Sequence, residues 1–74
     1  MNRPMLKAED IIKYLDKNGF SIVRQKGSHV RIRHNDGRVT SVPCHSGQDI
    51  GKGLLKKILR DTELTMEELL SKKN

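Results

Sequence analysis

Along the chain the spacing of apolar side chains changes twice, from helical to alternating and back to helical. Ala8, Ile11, Ile12 and Leu15 recur every three to four residues, with Glu9, Asp10, Lys13 and Asp16 off the stripe. That spacing lines one face of an amphipathic helix, and the Asn18-Gly19 pair that follows supplies a left-handed stop. An extended segment is expected from Phe20 to about Gln25, but Phe20, Ile22 and Val23 do not all fit one face of a strand, so its register stays open. His29 to His34 alternates cleanly: Val30 and Ile32 point one way, His29, Arg31 and Arg33 the other. Asn35-Asp36-Gly37 is a hairpin signal and leads into a third strand over about Arg38 to Val42, which Pro43 ends because it has no N–H for the ladder. Helical spacing then returns. A helix starting between Asp49 and Lys52 carries Leu54, Leu55, Ile58 and Leu59 on one stripe and Lys52, Lys56 and Arg60 on another. Thr65 with Glu68 three residues on forms a capping box that opens a short last helix holding Met66, Leu69 and Leu70.

These elements predict an α+β fold of order αβββα with a short C-terminal helix and a three-stranded antiparallel sheet. Helix, three strands, helix is the order of a double-stranded-RNA-binding domain, although the same order hosts different activities. The 74 residues allow one domain, residues 1–74, with its core over about 8–70 and frayed tails at either end.

Charge narrows the range of functions. The formal net charge is +6, and between Phe20 and Arg60 nine cations face only two acids, Asp36 and Asp49. A positive field concentrated in the middle of the chain is the footprint of a polyanionic partner, although a solvated basic surface would have the same composition. Cys44 is the only cysteine, so no internal disulfide forms. The start of the chain has no secretory signal and no stretch spans a bilayer, so a cytoplasmic protein without membrane contact is expected.

His29 is the leading candidate for chemistry. An imidazole can take a proton from a ribose 2′-hydroxyl or give one to a leaving 5′-oxygen, and RNA carries its own nucleophile, so neither metal nor cofactor is expected. Lys26, Arg31 and Arg33 are placed to hold a phosphate, Gly27 permits close backbone approach, and Ser28 can orient the ring or a phosphate. The competing reading of the same histidine is an ordinary polar residue on an exposed strand face. His34 reads as a turn-edge residue on the core side. His45, in the loop before the second helix, either reaches a ligand or bonds the backbone. His29, His34, Cys44 and His45 have no metal-ligand spacing. Gly51-Lys52-Gly53 is either a phosphate cradle at a helix start or a flexible helix entry. Tyr14 and Phe20 are the only aromatics, too few for a sheet that stacks single-stranded bases. Shape and backbone recognition of structured RNA by the basic strands and the Lys52, Lys56 and Arg60 stripe fits better.

Two blocks, "GFSIVRQKGSHVRIR" and "VPCHSGQDIGKGLLKKIL", resemble the HicA toxin family of bacterial toxin–antitoxin systems over about Asp10 to Leu70. The first is similar to that family's Gly-Phe, Arg and Lys-Gly-Ser-His pattern, the second to its Pro-X-His, polar loop and glycine-containing helix entry. The resemblance implies small ribonucleases that cleave mRNA without a metal, and it places the catalytic role on His29 with Gly27 and Ser28 beside it. It gives His45 a supporting role in structure or RNA contact. It also implies neutralisation by a HicB-type antitoxin covering the basic face, with DNA bound only indirectly through that antitoxin. Glu63 stands where the family often has glycine, and Cys44 where an aliphatic residue is more usual. Two readings follow: an mRNA-cleaving endoribonuclease acting through His29, or a non-catalytic RNA-binding module using the same basic surface.

Overall fold

The computed structural model describes residues 6–44 and 49–71. Its elements are α1 (Ala8–Lys17), β1 (Phe20–Lys26), β2 (His29–His34), β3 (Val39–Pro43), α2 (Lys52–Thr62) and α3 (Met66–Ser71). The strands form one antiparallel sheet in the order β1-β2-β3. The expected αβββα order with a closing short helix is therefore the order found.

One face of the sheet is covered and the other is open. Val30 pairs with Val42 and Ile32 with Thr40 on the covered face, where they join Ala8, Ile11, Leu15, Phe20, Ile58 and Leu69 in a single buried cluster. All three helices thus contribute to one core, with α2 packed mainly on β3 and α1 reaching β1 and β3. The burial follows the stripes: Ala8, Ile11 and Leu15 are buried in α1, and Ile58 in α2. Each fully buried aliphatic side chain contributes about 1.5–3 kcal/mol to folding.

The ambiguous register of β1 has a structural cause. Ile22 pairs with Ile32 and Arg24 with Arg31, so Val23 is an extra residue, a β-bulge. A bulge resets the alternation: Phe20, Ile22 and Gln25 share the core side with His34, Ile32 and Val30, whereas Arg24 and Lys26 share the open side with Arg31 and His29.

The element ends are chemically specified. Gly19, just past α1, has φ +91°, and a β-carbon there would stand 2.8 Å from His34 Nε2. Glycine is thus required both for the left-handed stop and for the close approach of the ring. The second hairpin closes through His34 N–H to the Arg38 carbonyl at 2.8 Å, with Gly37 at positive φ. Thr65 and Glu68 form the expected reciprocal cap, at 2.9 and 3.0 Å. No described helix is long and apolar enough to cross a membrane.

Candidate nucleic-acid interface and catalytic site

The Lys-Gly-Ser-His block is a tight turn. Lys26 and His29 are ladder partners, so Gly27 and Ser28 form a two-residue hairpin loop. Gly27 has φ +60° and Ser28 is not left-handed. Positive φ at the first loop position alone is the II′ pattern, which matches the twist of the strands it joins and calls for glycine there. A β-carbon on Gly27 would meet open space, so the requirement lies in the backbone conformation and not in room for a neighbour. The half-buried Ser28 accepts a hydrogen bond at its carbonyl from the Cys44 N–H, which ties the turn to the end of β3.

That turn delivers His29 to the open face, exposed, between Lys26 on β1 and Pro43 on β3. Arg24, Lys26, His29, Arg31 and Ser41 line one shallow depression of about 300 Å³. Arg31 Nη1 lies 3.4 Å from Ser41 Oγ. Arg24 stands directly opposite Arg31 across the strand pair, and like charges so placed repel. Nothing in the sheet offsets them: β1, β2 and β3 contain no Asp or Glu. The carboxylate partners that the described cations do find lie elsewhere, in Lys7–Asp49, Arg38–Asp36 and Lys57–Asp61. The face is therefore strongly cationic, with the His29 imidazole and the Ser41 hydroxyl among the groups that line the depression.

The remaining candidates divide by position. Arg33 is exposed one register further along the open face, between Ser21 and Val39. Lys52, Lys56 and Arg60 are exposed on α2, which packs on the covered side through Ile58, so they form a cationic surface in the other layer and do not line the His29 depression. His45 lies outside the described residues, as does the rest of the loop over 45–48. His34 is held in the fold: its ring packs edge-on against Phe20 with centroids 5.0 Å apart, and its Nδ1 accepts the Asp36 N–H at 3.1 Å.

Two cations of the basic middle are structural. Arg38 bonds both carboxylate oxygens of Asp36 from Nε, donates to the Thr62 carbonyl at the end of α2, and lies 5.1 Å from the centroid of the Phe20 ring. The Arg38 hydrogen bonds hold the Asp36 carboxyl below its usual value. Lys57, bonded to Asp61 at 2.8 Å, does the same for Asp61, with the Thr40 hydroxyl adding to the effect.

Arg24 and Ser41 join the site without having been singled out from the sequence. Arg24 was hidden by the bulge, since simple alternation from Phe20 places it on the core side. Ser41 was accessible to reasoning: pairing outward from the Asp36-Gly37 turn sets it beside Arg31.

The family model described as HicA toxin of bacterial toxin-antitoxin matches residues 8–64. No curated protein matches the chain at a significant level. The family match takes in α1, the three strands, α2 and every side chain of the depression around His29, leaving α3 beyond it. The chain belongs to the HicA toxin family of bacterial toxin–antitoxin systems, a membership that implies a HicB antitoxin as its partner.

Proposed function

We infer that the protein is an endoribonuclease toxin that cleaves mRNA, with His29 as its acid–base group and the open sheet face as its phosphate site. The observation that carries this reading is the depression around His29, where Arg24, Lys26 and Arg31 converge with no carboxylate partner among the described residues. Three cations around one imidazole on an acid-free sheet favour a bound phosphodiester and stabilise the extra negative charge of its pentacoordinate transition state.

The reaction uses the substrate's own atoms. The ribose 2′-oxygen attacks the adjacent phosphorus, the P–O5′ bond breaks, and the products are a 2′,3′-cyclic phosphate and a 5′-hydroxyl. His29 accepts the 2′-hydroxyl proton or donates one to the departing 5′-oxygen, water serving the other transfer. Arg31, steadied by Ser41, and Arg24 hold the non-bridging oxygens, while Lys26 lies beside the imidazole across the turn. Arg33 continues the cationic track for the flanking backbone, and Lys52, Lys56 and Arg60 offer a separate contact for a longer or folded RNA.

A second reading, a binding module that cleaves nothing, is favoured by one observation: His29 is the only histidine, and no carboxylate accompanies it, on the described open face. Cleavage of an mRNA in EDTA by wild type and His29→Ala separates the two. The ribonuclease reading expects a loss of at least about 100-fold in rate, the range for removing a general acid or base, with RNA affinity changed by less than about threefold. Equal rates would leave the binding module as the function.

A further inference from the structure

β1 is an edge of the sheet, paired with β2 on one side and with no described strand on the other. Edge strands expose unpaired N–H and C=O groups, which folded proteins usually shield. At seven residues β1 is the longest of the three strands. It also carries the two exposed large apolar side chains of the described residues, Ile22 at 54% and Val23 at 56% exposure. On the helix side of this edge runs a groove of about 330 Å³ lined by the apolar Ile12, Phe20, Ile22 and Ile32 together with Lys13, Asp16 and Ser21.

The two sides of the edge differ in chemistry. Toward the groove the surroundings are mainly apolar; toward the open face stand Arg24 and Lys26 without carboxylate partners among the described residues. A strand laid against β1 alternates its side chains between these sides. Its complement is thus an extended segment with apolar residues over the groove and Asp or Glu at alternate positions over the open face. A second copy of this chain is a poor occupant, because joining two β1 strands would bring Arg24 and Lys26 of each copy onto one continuous sheet face. The bulge at Val23 interrupts the ladder, which also works against open-ended growth by copies.

We propose that the β1 edge and its apolar groove are the docking site for an acidic–apolar extended segment of the HicB-type antitoxin. The added strand sets its carboxylates beside Arg24, in the place that RNA phosphates take; this rests on the phosphate-site reading of the open face. Antitoxin and RNA then compete for the same cations, and neutralisation needs no change in the toxin fold.

The test is amide hydrogen exchange on the protein, free and bound to its purified HicB-type antitoxin, together with the antitoxin affinity of Ile22→Thr and Arg24→Gln. The proposal expects slower exchange in the complex at the β1 amides not bonded to β2. It also expects Ile22→Thr to weaken the antitoxin by about tenfold, the loss for an anchor residue, with thermal unfolding and RNA affinity unchanged. Absence of a complex, unchanged β1 exchange in a complex that forms, or no effect of Ile22→Thr would each overturn it. The Arg24→Gln arm keeps the two readings apart: weaker antitoxin binding with unaltered RNA binding would refute the phosphate site while leaving the docking edge in place.

Discussion

Gly27 and His29 sit two residues apart and do different work. Gly27 supplies the left-handed backbone at the first position of the β1–β2 turn, with nothing near its absent side chain. Gly27→Ala is therefore expected to lower stability by about 1 kcal/mol through backbone strain alone, read from a denaturant midpoint, and to cut activity further by shifting His29 against Lys26. His29→Ala should leave the denaturant midpoint within about 0.5 kcal/mol of wild type, since the side chain is exposed. For Arg24, opposed to Arg31 and with no carboxylate partner among the described residues, replacement by glutamine should reduce the slope of log affinity for RNA against log salt by about 0.7–1. An unchanged slope would mean that Arg24 makes no phosphate contact.

The elements show what can be read from a linear pattern and what cannot. β2 was legible because Val30 and Ile32 alternate with His29, Arg31 and Arg33 without interruption, and the capping box of Thr65 and Glu68 because its partners lie three residues apart. β1 was not, because a bulge is a property of two strands together: only the pairing of Ile22 with Ile32 and Arg24 with Arg31 shows that Val23 is the extra residue. Arg38 was legible as charge but not as structure, since its bond to the Thr62 carbonyl spans 24 residues. Arg38→Ala should cost about 1–3 kcal/mol, combining a charged hydrogen bond to the end of α2 with the stacking on Phe20. Glu63 adopts φ +59° as the C-cap of α2, a left-handed conformation that favours glycine. Glu63→Gly should relieve that strain and raise stability by about 0.5–1 kcal/mol; a loss of stability on thermal unfolding would show that the Glu63 side chain compensates for its backbone.

Across the whole molecule, charge is partitioned by layer. The carboxylates tied to cations at the hairpin and the helix, Asp36 and Asp61, have lowered pKa values, from Arg38 and Lys57 respectively. A carboxylate depressed in the folded state stabilises the fold above its unfolded pKa and loses that contribution as pH falls through the folded value. The contribution of these two carboxylates should thus be present above about pH 4 and be lost below it, with a shallower acid decline in an Asp36→Asn, Asp61→Asn double variant. Between Phe20 and Arg60 the other cations lie on two surfaces, Arg24, Lys26, Arg31 and Arg33 on the open face with His29 and Lys52, Lys56 and Arg60 on α2. The sequence showed that both sets exist; their separation into opposite layers follows from which sheet face the Ile58 side of α2 covers. The assignment of chemistry to the first surface is tested most directly by the ends of the RNA fragments that the purified protein makes in EDTA. A 2′,3′-cyclic phosphate on the upstream fragment and a 5′-hydroxyl on the downstream one, both missing with His29→Ala, is the predicted result. A 3′-hydroxyl with a 5′-phosphate, or the same fragments from both proteins, would contradict it.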